Sequence, residues 1–248
     1  MINISFTTKK AYTLVELSIV LVIIAIFLSS GLNIFTNNIV QTKTLNTKEK
    51  LNIIYKSLAE HLMTTRRLPC PVDLTHAKDT NISYAFTDNS IANCSSIRPN
   101  NIITIGYIPT RNLNLPSDMA EDDFGNKILY VVDNRLAPDT GTFNAANFFT
   151  TNTGDGSITT DQSGTRPILL LLSFGANSCG SYKINGTINT LCNNGNDGIE
   201  QVENSDNDNE FSTTSTNPKF DDVILTKTYY DFLQELNLTH TQSQAYFF

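Results

Sequence analysis

One carboxylate, Glu16, sits near the start of an otherwise apolar run, and its placement decides how the whole chain is read. Lys9 and Lys10 precede Ala11, an aromatic residue (Tyr12) follows, and the run begins at Leu14. From Leu17 to Leu28 every residue but Ser18 is apolar, and the run continues to Phe35 with Ser29, Ser30, Gly31 and Asn33 as weak interruptions. About 20 residues counted from Tyr12, at ~1.5 Å each, span the ~30 Å of one hydrocarbon core. Lysines at the start keep that end cytoplasmic and send the rest of the chain outward. A secretory signal would use the lysines as its basic region and Ser29-Ser30-Gly31 as its cleavage site. An uncleaved single-pass anchor would need neither. Glu16 weighs against both, because a carboxylate at mid-helix in a membrane costs about 2.5–3.5 kcal/mol, and somewhat less near the end. Such a residue is expected to have a partner.

The stretch Ala11-Tyr12-Thr13-Leu14-Val15-Glu16-Leu17 resembles the class III signal of type IV pilins and type II secretion pseudopilins. In that family a prepilin peptidase cuts on the cytoplasmic side of the apolar run, usually between Gly and Phe. Here the pair is Ala11 and Tyr12, small and aromatic in the same order. The resemblance implies cleavage between them and N-methylation of Tyr12. Glu16 then falls on the fifth mature position, which the family reserves for glutamate. A freed ammonium on Tyr12 and the Glu16 carboxylate can neutralise each other in lipid, within one chain or between neighbours. Buried ion pairs add little net stability, but they set register. The resemblance is specific over residues 9–35.

The 248 residues carry a formal charge of −7. Loss of the first eleven would remove two lysines and no acid. No basic patch is present to collect phosphates, which argues against nucleic acid as a partner. Four cysteines in an exported chain suggest two disulfides and an oxidising compartment.

Four segments follow. Residues 1–11 read as a prepilin leader and 12–35 as the transmembrane and assembly half of a long helix. Residues 36–67 read as its soluble half, and 68–248 as a periplasmic α+β head. Leu51, Ile54, Tyr55, Leu58 and Leu62 form one apolar stripe at helical spacing. Arg66 and Arg67 suit the helix end, and Pro69 and Pro71 stop it. Beyond Pro71, short apolar runs alternate with Asn, Gly, Pro and Asp clusters, the pattern of an antiparallel sheet. Strands are expected at 102–108, 127–133 and 167–174, a late strand or helix start at 222–228, and helical spacing over 229–238. The Asn-rich stretches 134–166 and 193–219 read as solvated loops.

Asn185-Gly186 is the preferred centre of a two-residue type I′ hairpin turn. In that register Cys179 faces Cys192, with Cα atoms ~4.5 Å apart, within disulfide range. Cys70 with Cys94 follows by elimination. That bond would close a ring of about 24 residues and stabilise by ~3 kcal/mol. Four buried free thiols are the alternative.

Leu68-Pro69-Cys70-Pro71, Gly106-Tyr107-Ile108-Pro109, Asp122-Asp123-Phe124-Gly125-Asn126 and Ser173-Phe174-Gly175, in this order, resemble a pseudopilin-like subgroup. The family usually has Trp where this chain has Phe124. Physically, Gly125 is expected to supply a turn with positive φ and Phe124 to plug the core. Asp197, Asp206, Asp208 and Glu210 crowd one loop, with Glu200 close in sequence and Asp221 and Asp222 downstream. Calcium favours oxygen ligands from such loops. The major pseudopilin is known as a family to hold calcium before its last strands, so those four residues are the candidate ligands, against a solvated acidic loop. His61, His76 and His240 show no metal-ligand spacing, and no nucleophile elbow, P-loop or dinucleotide fingerprint is present. A structural subunit is therefore expected, not an enzyme. Its expected partners are prepilin peptidase, sister subunits, an inner-membrane assembly platform and membrane lipid. An anchored, non-polymerising binding protein or adhesin is the competing expectation.

Overall fold

The computed structural model describes residues 13–78, 102–137, 156–162, 164, 166–189, 192, 199–206, 208–214 and 219–238, with the side chains of 27–37 left aside. The chain divides into two units, 1–42 and 43–248. One helix, α1 (Leu14–Thr65), supplies residues to both. Arg66, with φ 61°, takes the left-handed conformation that ends it. Among the described residues no helix is both long and apolar enough to cross a membrane. Within the expected span 12–35, side chains are described only from 13 to 26.

In the second unit the fold is α+β around an antiparallel sheet. Its strands are β1 (Ile103–Tyr107), β2 (Leu129–Asp133), β4 (Leu169–Ser173) and β6 (Val223–Lys227), in the order β1-β2-β4-β6. Tyr107 faces Leu129, Leu129 faces Leu172, and Leu172 faces Ile224. These strands lie inside the runs expected from sequence. The leucines Leu169–Leu172 are fully buried, as a mid-sheet strand covered on both faces requires. The helical stripe Leu51, Ile54, Tyr55, Leu58 and Leu62 joins the same core. Each such side chain contributes roughly 1.5–3 kcal/mol on burial.

The C-terminal helix α3 (Tyr229–Glu235) opens on a capping box in which Thr228 and Asp231 satisfy each other's backbone N–H. Tyr55 fixes it to α1: its hydroxyl donates to the Asp231 carbonyl at 2.9 Å, and its ring meets Phe232 edge-on at 5.1 Å.

Two expectations need correction. The acidic and Asn-rich stretches are not wholly loop. A short helix α2 (Ile199–Glu203) forms, and β3 (Thr159–Thr160) pairs in parallel with β5 (Glu210–Phe211). The hairpin is also not a two-residue type I′ turn. Lys183 N–H donates to the Thr187 carbonyl, Gly186 N–H donates to the Lys183 carbonyl, and Tyr182 bridges Ile188. Only Gly186 of the turn has positive φ, at 81°, whereas type I′ needs two such residues. The loop therefore has three residues, Ile184, Asn185 and Gly186, with a glycine bulge. Tertiary packing decides this. A Cβ on Gly186 would stand 1.9 Å from the Thr75 carbonyl oxygen, and Lys78 N–H donates to Ile184.

Cys179 and Cys192 are nevertheless joined, with Cα atoms 5.0 Å apart. Left-handed Ser178 and Gly180 next to Cys179 absorb the odd residue. Cys70 is also disulfide-bonded, while Cys94 lies outside the described residues.

Candidate functional site

The start of α1 carries the residue on which the sequence reading turned. Thr13 and Glu16 form a capping box: the Glu16 carboxylate accepts from Thr13 N–H at 3.0 Å and from the Thr13 hydroxyl at 3.2 Å. In return Glu16 N–H donates to Thr13 Oγ1 at 3.3 Å. A carboxylate there also faces the positive end of the helix dipole. Thr13-x-x-Glu16 is the usual sequence signature of such a box, and the sequence reading passed over it. Every described side chain from Thr13 to Ile26 is exposed, Leu14 by 86 %. A continuous apolar surface of this kind calls for lipid or protein to cover it. Ala11 and Tyr12 lie outside the described residues.

In the second unit, the loop from Glu121 to Gly125 grips the latter part of α1. Lys50 Nζ lies 2.7 Å from Asp123 Oδ1 and donates to the Glu121 carbonyl. Asn46 donates to Asp123 Oδ2 at 2.9 Å, and Thr47 Oγ1 accepts from Asp123 N–H. Partial burial works against ionisation of Asp123, but the Lys50 and Asn46 donors outweigh it and hold the carboxyl below its ordinary range. Gly125 takes φ 89°, the turn expected of it. Phe124 does not plug the core. It is half-exposed, with Lys43 Nζ 5.5 Å above its ring.

Behind this loop the motifs Asp122-Asp123-Phe124-Gly125-Asn126 and Ser173-Phe174-Gly175 meet. Asp122 is buried; one carboxylate oxygen accepts from Phe124 N–H and Asn126 N–H, the other from the Ser173 hydroxyl. Burial raises its pKa, and these hydrogen bonds only partly offset that. Asn126 extends the network to Ser178 and Ser181.

The expected calcium ligands divide. Asp206 and Asp208 accept from the backbone N–H groups of Asp208 and Glu210, and Asp197 lies outside the described residues. Among the described residues no group of three or more His, Cys, Asp and Glu side chains is arranged to hold a metal. Burial, followed by repulsion from Asp206, Asp208 and Glu210, raises the pKa of Glu203. A cavity of about 180 Å³ opens beside Glu203, Glu210 and Asp161. Asp161 itself is engaged by the backbone and hydroxyl groups of Thr213 and Thr214. Asp221 and Asp222 use amides instead: Asn177 N–H and Gln201 donate to Asp221, and Asn204 donates to Asp222. Burial pushes Asp222 up to about 7, opposed by the Asn204 bond and reinforced by Asp221.

Lys127 was read only as the start of a strand. Its ammonium is buried, donating to the Leu74 carbonyl at 2.8 Å and to the His76 carbonyl, 4.4 Å above the Tyr107 ring. No sequence signal marks it, because its partners come from a distant loop. His61 is half-buried, its Nε2 unpartnered among the described residues; burial and then Arg67 lower its pKa. His240 lies outside the described residues.

Comparison with protein-family models, with curated proteins and with solved structures found no match.

Proposed function

We propose that this chain is a structural subunit of a type II secretion pseudopilus or a type IV pilus. It is cut by prepilin peptidase between Ala11 and Tyr12, methylated on Tyr12 and assembled through its N-terminal helix. One observation carries the reading: Glu16 opens a helix whose described apolar side chains, Leu14 to Ile26, are all exposed. The sequence continues that run to Phe35, behind Lys9 and Lys10. Support also comes from the second unit, where the latter part of α1 shares one core with a four-stranded antiparallel sheet. Before assembly the subunit sits in the inner membrane with its start cytoplasmic and its head periplasmic. Lipid covers the apolar residues, and sister helices replace the lipid once the assembly platform extracts the subunit.

The capping box gives Glu16 a partner within its own chain, which lowers the cost of keeping a carboxylate at the membrane. Assembly exchanges that partner for the amine of a neighbour. The mass and first residue of the mature protein test the reading. Tyr12 methylated at the terminus is expected. A mature chain beginning near residue 32 would sink it in favour of an ordinary secretory signal.

A further inference from the structure

Asn185 stands exposed at the tip of the disulfide-bonded hairpin. Its Oδ1 accepts two hydrogen bonds, from Thr187 N–H at 3.0 Å and from the Thr187 hydroxyl at 2.6 Å. Its amide nitrogen makes no hydrogen bond among the described residues. The next residue is Gly186, whose backbone nitrogen has no side chain beside it to hinder attack. We propose that Asn185 is a self-modifying site, converted in the folded protein to aspartate and isoaspartate through a cyclic imide formed with Gly186.

Each step balances with water as the only co-reactant. Gly186 N–H gives its proton to a solvent base, and the nitrogen attacks Asn185 Cγ. The new N–C bond closes a five-membered ring. The bond from Cγ to Nδ2 breaks, and Nδ2 leaves as ammonia with a proton from solvent. Water then opens the imide at either carbonyl. Attack at Cγ breaks the bond from Cγ to the Gly186 nitrogen and gives aspartate. Attack at the Asn185 main-chain carbonyl breaks its bond to that nitrogen, leaves Gly186 attached through Cγ and gives isoaspartate. Nothing is oxidised or reduced.

Thr187 gives this site its character. Its two donors already sit on the oxygen that becomes negative when Cγ turns tetrahedral, the arrangement that stabilises an oxyanion. The attacking nitrogen is restrained, because Gly186 N–H donates to the Lys183 carbonyl at 2.9 Å. The turn must loosen there before reaction, so the structure primes the electrophile and gates the nucleophile. Both products add negative charge at the tip. Aspartate keeps the Thr187 donors and strengthens them as charge-assisted bonds. Isoaspartate lengthens the main chain by one carbon and spoils the close fit of Gly186 against Thr75.

The test follows the intact, disulfide-bonded chain by peptide mass mapping during incubation at mildly alkaline pH. Asn194-Gly195, the other Asn-Gly pair of the sequence, serves as the internal reference. Asn185 should gain one dalton, with both isomers present. Thr187→Val should slow that gain several-fold while Asn194 is unaffected, and Thr187→Ser should restore it. An intact Asn185 in the folded chain, alongside conversion in the unfolded chain, would overturn the proposal. So would a Thr187→Val rate equal to or faster than that of the parent. The reaction needs no export or assembly, so its outcome is independent of the filament reading.

Discussion

The Ser173 hydroxyl donates to the Asp122 carboxylate at 2.6 Å, with both residues buried. The bond links the acidic-aromatic-glycine loop before β2 to the Ser-Phe-Gly end of β4, 51 positions apart. One motif supplies a buried carboxylate and the other its donor. Ser173→Ala should destabilise the head by about 1–3 kcal/mol, since Asp122 loses a partner it cannot replace with water. Urea denaturation of the parent and variant proteins measures this, and a change within error would show that Asp122 relies on its backbone donors alone.

The same loop holds α1. Lys50 and Asp123 side chains are 24 % and 20 % exposed, which places their ion pair between surface and core. A double-mutant cycle with Lys50→Ala and Asp123→Ala should give a coupling of about 0.5–1 kcal/mol. Zero coupling would mean that Asn46 and Thr47 hold the loop without the ion pair.

Under the filament reading proposed above, Glu16 serves both as a cap and as a partner for a neighbour's amine, and substitution can separate the two. Glutamine also completes a capping box, so Glu16→Gln should leave the helix start intact. It cannot neutralise a neighbour's amine, so filaments should be lost although the protein is still inserted and cut. Thr13→Ala removes the cap at a cost of about 1 kcal/mol. Filament yield from Glu16→Gln at the parent level would leave the carboxylate as a cap and nothing more.

Strand positions and the helical stripe were legible because burial there follows a simple period. The apolar run 169–172 and the stripe from Leu51 to Leu62 need no distant partner to be recognised. Features set by distant contacts were not legible. The hairpin gained a residue because Gly186 packs on Thr75, and Phe124 moved outward beneath Lys43. β3 and β5 are two residues each and carry no periodic signal. Two local signals were present and passed over, the boxes Thr13-x-x-Glu16 and Thr228-x-x-Asp231. In the first, Glu16 lies inside an apolar run, yet its nearest donor is Thr13, three residues away.

Asp222 ties stability to pH. Burial holds its proton up to about 7, against an ordinary value of 3.8. A raised folded value means that the native state binds the proton more tightly than the unfolded chain. The contribution is therefore complete below about pH 4 and is lost as pH rises through about 7, on the order of a few kcal/mol. Asp222→Asn should flatten stability across that window, with Asn204, Gln201 and Asp221 unchanged around it. Parallel pH profiles for the parent and the variant would mean that Asp222 ionises normally in the folded head.

Lys127 acts in the opposite direction at higher pH. Its folded value is pushed down to about 8 from 10.5 by burial, with Asp73 and Glu121 partly compensating. Between those values the unfolded chain binds more protons than the native one, so this group's contribution rises with pH. It is fully present above about 10.5 and is lost as pH falls through about 8. Tyr55 and Tyr130 complicate a bare profile, because burial raises both phenols and the unfolded chain ionises them first. The difference between the parent and Lys127→Met removes that background. It should change with pH across the window, growing in favour of the parent as the ammonium becomes neutral. A difference that stays flat from pH 8 to about 10.5 would show that the carbonyls of Leu74 and His76 hold Lys127 fully charged despite its burial.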